Sequence, residues 1–256
     1  MFHLVLAQWK KTKHTVIRPM VFFLPIVYSF LISLYYTFTQ AQAVSTEEKI
    51  IFFFLLLNIA VLFFSAIIVS LFIQLDKSAS NFGNELRIGV SRRKLMTSKI
   101  LFFMGLISTV EFVALLVFTI LEFFFQMNLV SVITMGLFLF TSIVFLLPTI
   151  LIYVFFAYRF NFTGTLVVSV VVVLSSILMG TTGLGNQLWH FLPWTWPVKI
   201  ISSILPTALY LTGNIQEMAI EILFQTLILS VVVSAFLFLL LNIWYNQWEG
   251  KGSLEE

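Results

Sequence analysis

Apolar residues run through this chain in long unbroken stretches, and polar residues gather in the gaps between them. A helical crossing of a bilayer takes about 20 mostly apolar residues. Six stretches reach that length: 19–39, 50–75, 100–125, 131–158, 163–182 and 218–244. Backbone groups in hydrocarbon have no water to pair with, so each stretch is expected to be a helix bonded within itself. The strands of a membrane barrel would alternate apolar and polar positions, and these stretches do not. The pattern predicts an all-α polytopic membrane protein with six transmembrane helices. It forms a single transmembrane domain over residues 1–256, with an interfacial segment at 1–18, the spans at 19–244 and a polar tail at 245–256.

The gaps carry the rest of the information. Phe2, Val5, Leu6 and Trp9 recur at helical spacing, with His3, Lys10, Lys11 and His14 on another face. That arrangement predicts an N-terminal amphipathic helix lying in the interface, its lysines near anionic headgroups. The gap at 183–217 is long and carries Pro193, Pro197 and Pro206, which break helices, and Trp189, Trp194 and Trp196, which favour the headgroup level. Short helices or a re-entrant hairpin are expected there. Its tryptophans read equally well as membrane anchors or as part of a substrate path.

Composition agrees with the pattern. Hydrophobic residues make up 60% of the chain and charged residues 10%, against about a quarter charged in soluble domains. Charge order supplies an orientation. With six spans, one side holds Lys10, Lys11, Lys13, Arg18, Lys77, Arg87, Arg92, Arg93, Lys94, Lys99, Arg159 and Lys251, and the other only Lys49 and Lys199. The positive-inside rule then places both termini in the cytoplasm. The net charge of +3 follows from this topology, so no nucleic-acid partner is expected. Ala41-Gln42-Ala43 after the first apolar stretch imitates a signal-peptide cleavage site, but the stretch is span length. An uncleaved first span is expected.

Enzyme signatures are missing. The chain has no cysteine, no Gly-x4-Gly-Lys-Ser/Thr phosphate loop and no pairing of histidines for a metal inside the bundle. A transport subunit without its own ATPase site, metal or cofactor is expected. Two carboxylates interrupt the third stretch. Glu111 and Glu122 are eleven residues apart, about three turns, and so share a face. Glu111 near the centre either lines a substrate path or fixes helix packing against Asn58, a serine or a threonine; the packing role is the more economical for a carboxyl in hydrocarbon.

A polar island at 83–95 separates the second and third stretches. Phe82, Leu86 and Val90 recur every four residues, Glu85 and Arg87 fall on other faces, and Gly89 is placed to end a short helix in a left-handed conformation. Ser91 is placed to cap the next helix. Arg92, Arg93 and Lys94 then sit at a helix N-terminus, where cations are unfavourable.

The pattern Glu-x3-Gly-x-Ser-Arg-(Arg/Lys)-Lys-x4-Lys, carried here by Glu85, Gly89, Ser91, Arg92, Arg93, Lys94 and Lys99, resembles the cytoplasmic coupling helix of ABC-2-type (type V) exporter permeases. The six-span layout, the interfacial N-terminal helix and the outer insertion between spans 5 and 6 agree with that family. Pro193-Trp194-Thr195-Trp196-Pro197 is similar to a stretch in lantibiotic-immunity permeases, where a Tyr usually holds the place of Trp196. The resemblance implies a permease of the bacterial cytoplasmic membrane that pairs with a second permease subunit, identical or homologous. Glu85, Leu86, Arg87, Gly89, Ser91, Arg92, Arg93 and Lys94 would engage a separate ABC ATPase dimer, which binds the ATP and Mg. It implies export of an amphipathic substrate, a lantibiotic or other antimicrobial or toxic peptide, for self-immunity or resistance. Drugs or lipids as cargo, and a secondary transporter or membrane scaffold not driven by ATP, are the alternatives.

Overall fold

The computed structural model describes residues 1–38, 45–80, 82–83, 89–125, 131–185 and 188–248, and among these every regular element is helical. In chain order they are α1 (Phe2–Lys11), α2 (Ile17–Phe38), α3 (Thr46–Ser80), α4 (Arg92–Phe124) and α5 (Val132–Thr181). Three single 3-10 turns follow at Gly183–Gly185, Trp189–Phe191 and Pro193–Thr195, then α6 (Trp196–Lys199), a π turn at Ile200–Ile204, α7 (Leu205–Tyr210) and α8 (Asn214–Gln247). Five of these, α2, α3, α4, α5 and α8, are long and apolar enough to cross a membrane. The chain is a polytopic helical membrane protein.

Helix α5 takes in two of the stretches expected to be separate. As one straight helix its 50 residues would extend about 75 Å, far beyond a hydrocarbon core of about 30 Å. It breaks at Asn161, where φ is 59° and ψ −167°. Residues 145 and 175 would lie about 45 Å apart on an unbroken helix. Instead Trp196 packs on Phe145 with ring centroids 6.4 Å apart, while nearby Trp194 donates its indole N–H to Ser175 Oγ at 2.9 Å. Residues 162–181 therefore fold back alongside 132–160.

Helix α3 is the hub. Phe53, Phe54, Leu62, Ala66, Val69 and Phe72 are all fully enclosed, on more than one face of the helix. Phe53 stacks on Phe118 of α4 at 4.2 Å, Phe54 meets Phe138 of α5, and Phe72 meets Phe102 and Phe103 of α4. Helix α8 sits at the rim, with Phe224, Ile228, Val231 and Phe236 directed outward, the surface a helix offers to hydrocarbon.

Helix α1 departs from the expected stripe. Val5 and Trp9 pack on the core and Gln8 is buried, whereas Phe2 and Leu6 stay exposed. The turn into α2 is knotted by Arg18, which stacks 4.3 Å from the Trp9 ring centre and donates to Trp9 O and Thr12 Oγ1.

At the opposite end, the segment after α5 is packed against protein. Trp196 donates its indole N–H to Trp189 O at 3.1 Å, Thr195 Oγ1 donates to the same carbonyl, and Ser176 Oγ donates to Trp194 O. Gly180 permits this approach: a Cβ there would stand 2.5 Å from Val198 Cγ1.

Candidate functional site

The island that drew attention in the sequence lies between α3 and α4. Glu85, Leu86 and Arg87 fall outside the described residues, as does Lys251. Its two flanks are described, and they differ from expectation in backbone and in bonding. Gly89 does not take a left-handed conformation. Phe82 does instead, with φ 62°, a rare state for a bulky side chain. Phe82 is held there by its surroundings: its N–H donates to Asp76 O at 3.3 Å, and its buried ring meets Trp248 at 4.8 Å and Tyr158 at 5.7 Å. Ser91 occupies the N-cap position of α4 but makes no side-chain cap bond.

The cations after Ser91 divide by role. Arg92 reaches the far end of the chain, donating to Asn246 O at 2.9 Å and Trp248 O at 2.8 Å. Those carbonyls close α8, where the last turn leaves acceptors unpaired and the helix dipole favours a cation. The apparently unfavourable charge at the start of α4 is thereby placed at the end of another helix. Arg93 and Lys94 point into the open.

Lys99, one turn deeper, is fully buried. Its ammonium donates to Asp76 Oδ2 at 2.7 Å and to Tyr158 OH at 2.6 Å. Lys11 of α1 holds the other Asp76 oxygen at 2.8 Å. One carboxylate thus joins α1, α3 and α4, and Lys99 extends the link to α5. Asp76 was not singled out in the sequence, though a signal existed: it is the only aspartate in the chain, set at the end of an apolar run beside Lys77.

No family model, curated protein or solved structure matches this chain.

The remaining candidates lie elsewhere. Glu111 is fully buried, with Oε1 2.6 Å from Ser142 Oγ, which in turn is 2.9 Å from Asn58 Oδ1. Asn58 Nδ2 donates to Phe54 O at 2.8 Å, which turns Oδ1 toward Ser142. The Ser142 hydroxyl, one hydrogen with two acceptors in reach, links Glu111 to Asn58. The second carboxyl oxygen has no hydrogen-bond partner among the described residues. This is the packing arrangement against Asn58 and a serine that the sequence allowed. Trp189 and Trp196 are buried within the folded segment and Trp194 is half-buried. His190 beside them is exposed, and partial burial pushes its imidazole below the ordinary value. The structure does not bring Glu111 together with the tryptophans at one opening. Among the described residues no group of His, Asp and Glu could hold a metal ion.

Proposed function

We propose that this chain is the permease subunit of an ATP-driven exporter of the ABC-2 type, and that it moves an amphipathic substrate, a lantibiotic or other antimicrobial peptide, from the membrane to the outside. In this reading the fold-back at Asn161 gives six crossings with both termini cytoplasmic. Residues 84–94 meet a separate ATPase dimer, and a second permease subunit completes the path. The observation that carries the reading is the bracing on the two sides of the island. Arg92 ties the foot of α4 to α8, and Lys99 ties it to α1, α3 and α5. A push delivered at residues 84–91 meets helices that are locked together at that end, so it is passed to the bundle as a whole and not dissipated in a loose loop.

Exposed Arg93 and Lys94 suit an acidic groove on a soluble partner, with Glu85 fixing register through an opposite charge. The chain has no energy source of its own in this reading, so the ATPase supplies it. A secondary transporter would ask Glu111 to exchange protons with water, and its enclosure by Ser142 and protein favours a packing role.

The test is co-expression with candidate ABC ATPase subunits of the same genome. The expected result is a stable complex whose ATP hydrolysis rises with added amphipathic peptide and falls when Arg93 and Lys94 are both replaced by Ala. Absence of a complex with wild-type chain, or hydrolysis indifferent to both peptide and the double replacement, would overturn the proposal.

A further inference from the structure

The first arm of α5 and helix α8 lie side by side and are fastened at two heights. Pro148 has no N–H to give the Val144 carbonyl four residues before it, and Ser230 of α8 donates to that carbonyl at 3.2 Å instead. Toward the cation-rich end the fastening is aromatic. Trp244 meets Phe155 at 5.1 Å and Tyr158 at 6.2 Å, and Tyr245 meets Tyr158 at 5.5 Å. A cavity of about 440 Å³ begins below the first fastening and ends beside the second, lined from the stretches 151–156 of α5 and 237–247 of α8. Ligand pockets have volumes of about 300–1,000 Å³, so this one is large enough to hold a molecule.

Its walls are graded. Leu151 and Leu241 form a buried floor, while Leu240 and Ile243 form an exposed lip in the part of the protein that meets hydrocarbon. Every described lining residue but one has an aliphatic or aromatic side chain. The exception is Gln247, exposed in the last turn of α8. Arg159 follows Phe155 and Phe156 by four and three residues, which puts it on the same face of α5. Long side chains on a helix lean back over the preceding turn, so the guanidinium belongs to the open end of the cavity. Arg159 is exposed and has no ion-pair partner among the described residues. Residues 237–247 rise about 15 Å, half of a hydrocarbon core of about 30 Å. The cavity is one leaflet deep, apolar within, and bears an amide and a cation at the membrane surface. A helix of a second copy would follow the seam along its whole height, and Ser230 closes that seam above.

We propose that this cavity holds one acyl chain of an anionic phospholipid, with the lipid phosphate on Arg159 and Gln247. The depth of the cavity matches the reach of a chain through one leaflet, and the leaflet surface is where a phosphate meets basic side chains. The site requires only that the protein spans a membrane, so it stands or falls apart from the exporter reading.

The experiment uses the full chain in nanodiscs of phosphatidylcholine doped with phosphatidylglycerol, with native mass spectrometry of the lipid retained on the released protein. Wild-type protein is expected to retain one phosphatidylglycerol in preference to phosphatidylcholine. Leu240→Trp sets an indole into the lip and removes the retained lipid, and Ile243→Trp, also on the lip, does the same. Leu239→Trp, at the neighbouring exposed position outside the cavity, leaves retention unchanged. Arg159→Gln keeps a retained lipid but lowers the preference for phosphatidylglycerol roughly tenfold or more, the loss of one charge-assisted bond. All four positions are exposed, and an unchanged thermal midpoint confirms that each variant folds. No lipid retained by wild type, retention by both lip variants as by wild type, or an equal loss in Leu239→Trp overturns the acyl-chain site. An undiminished preference in Arg159→Gln overturns the phosphate partner and with it the anionic lipid.

Discussion

Lys99 has no access to solvent, and Asp76 and Tyr158 are among the groups that offset the cost of its charge. Removing one partner of a buried ion pair costs about 3–5 kcal/mol. The cost here falls at the lower end, since Lys11 still faces Asp76 after Lys99→Met. A loss of about 3 kcal/mol is expected, read as a lower thermal midpoint in detergent. Lys99→Met combined with Asp76→Asn should recover part of it, because the two residues share one interaction. Glu111 makes an opposite case. Its carboxyl accepts from Ser142, so Glu111→Gln retains an acceptor and should stay within about 1 kcal/mol of wild type. Glu111→Leu removes Ser142's acceptor and should cost more, in the same thermal assay. Peptide export abolished by Glu111→Gln, with the fold intact, would show a titrating role in place of packing. Of these residues, the contact of Glu111 with Asn58 through Ser142 was legible, because polar side chains in an apolar run must find one another. The Lys99–Asp76–Tyr158 link was not, since periodicity along a helix says nothing about which span ends meet.

Helices were more legible than the joints between them. The described parts of the six apolar runs lie in helices but for residues at their ends, and the two expected at 131–158 and 163–182 fall within α5. The break at Asn161, φ 59° with ψ −167°, lies in a region that glycine adopts far more readily than other residues, and a test separates backbone from side chain. Asn161→Gly relieves the backbone while losing the bond to Lys77, and its thermal midpoint should stay near wild type or rise. Asn161→Ala loses the bond and keeps the strain, and should fall below it by about 1–2 kcal/mol. The left-handed residue beside the island was misplaced to Gly89 because glycine is the usual occupant of such a position. At Phe82 the aromatic contacts with Tyr158 and Trp248 hold a conformation that local preference would reject. At the other end, the tryptophans of 189–196 were legible as a cluster but not as interior residues. Gly180 decides that outcome, and Gly180→Ala, forcing a methyl against Val198, should destabilise by about 1–3 kcal/mol.

At the scale of the molecule, orientation is the claim most directly open to experiment. The chain has no cysteine, so any single introduced thiol is the only target for a membrane-impermeant maleimide. His190→Cys is expected to label from outside intact cells, and Lys13→Cys only after the membrane is permeabilised. The reverse pattern would invert the topology and remove the ATPase from reach of the island. One contact has a further meaning for how the protein is made. Arg92 is translated more than 150 residues before the carbonyls it holds at Asn246 and Trp248. The foot of α4 therefore waits, unlatched, until α8 has been synthesised and inserted. A chain cut short before residue 246 keeps most of its apolar mass yet cannot close that latch. Synthesis of α8 is thus recorded at the island itself, the place where the proposed partner would first touch it.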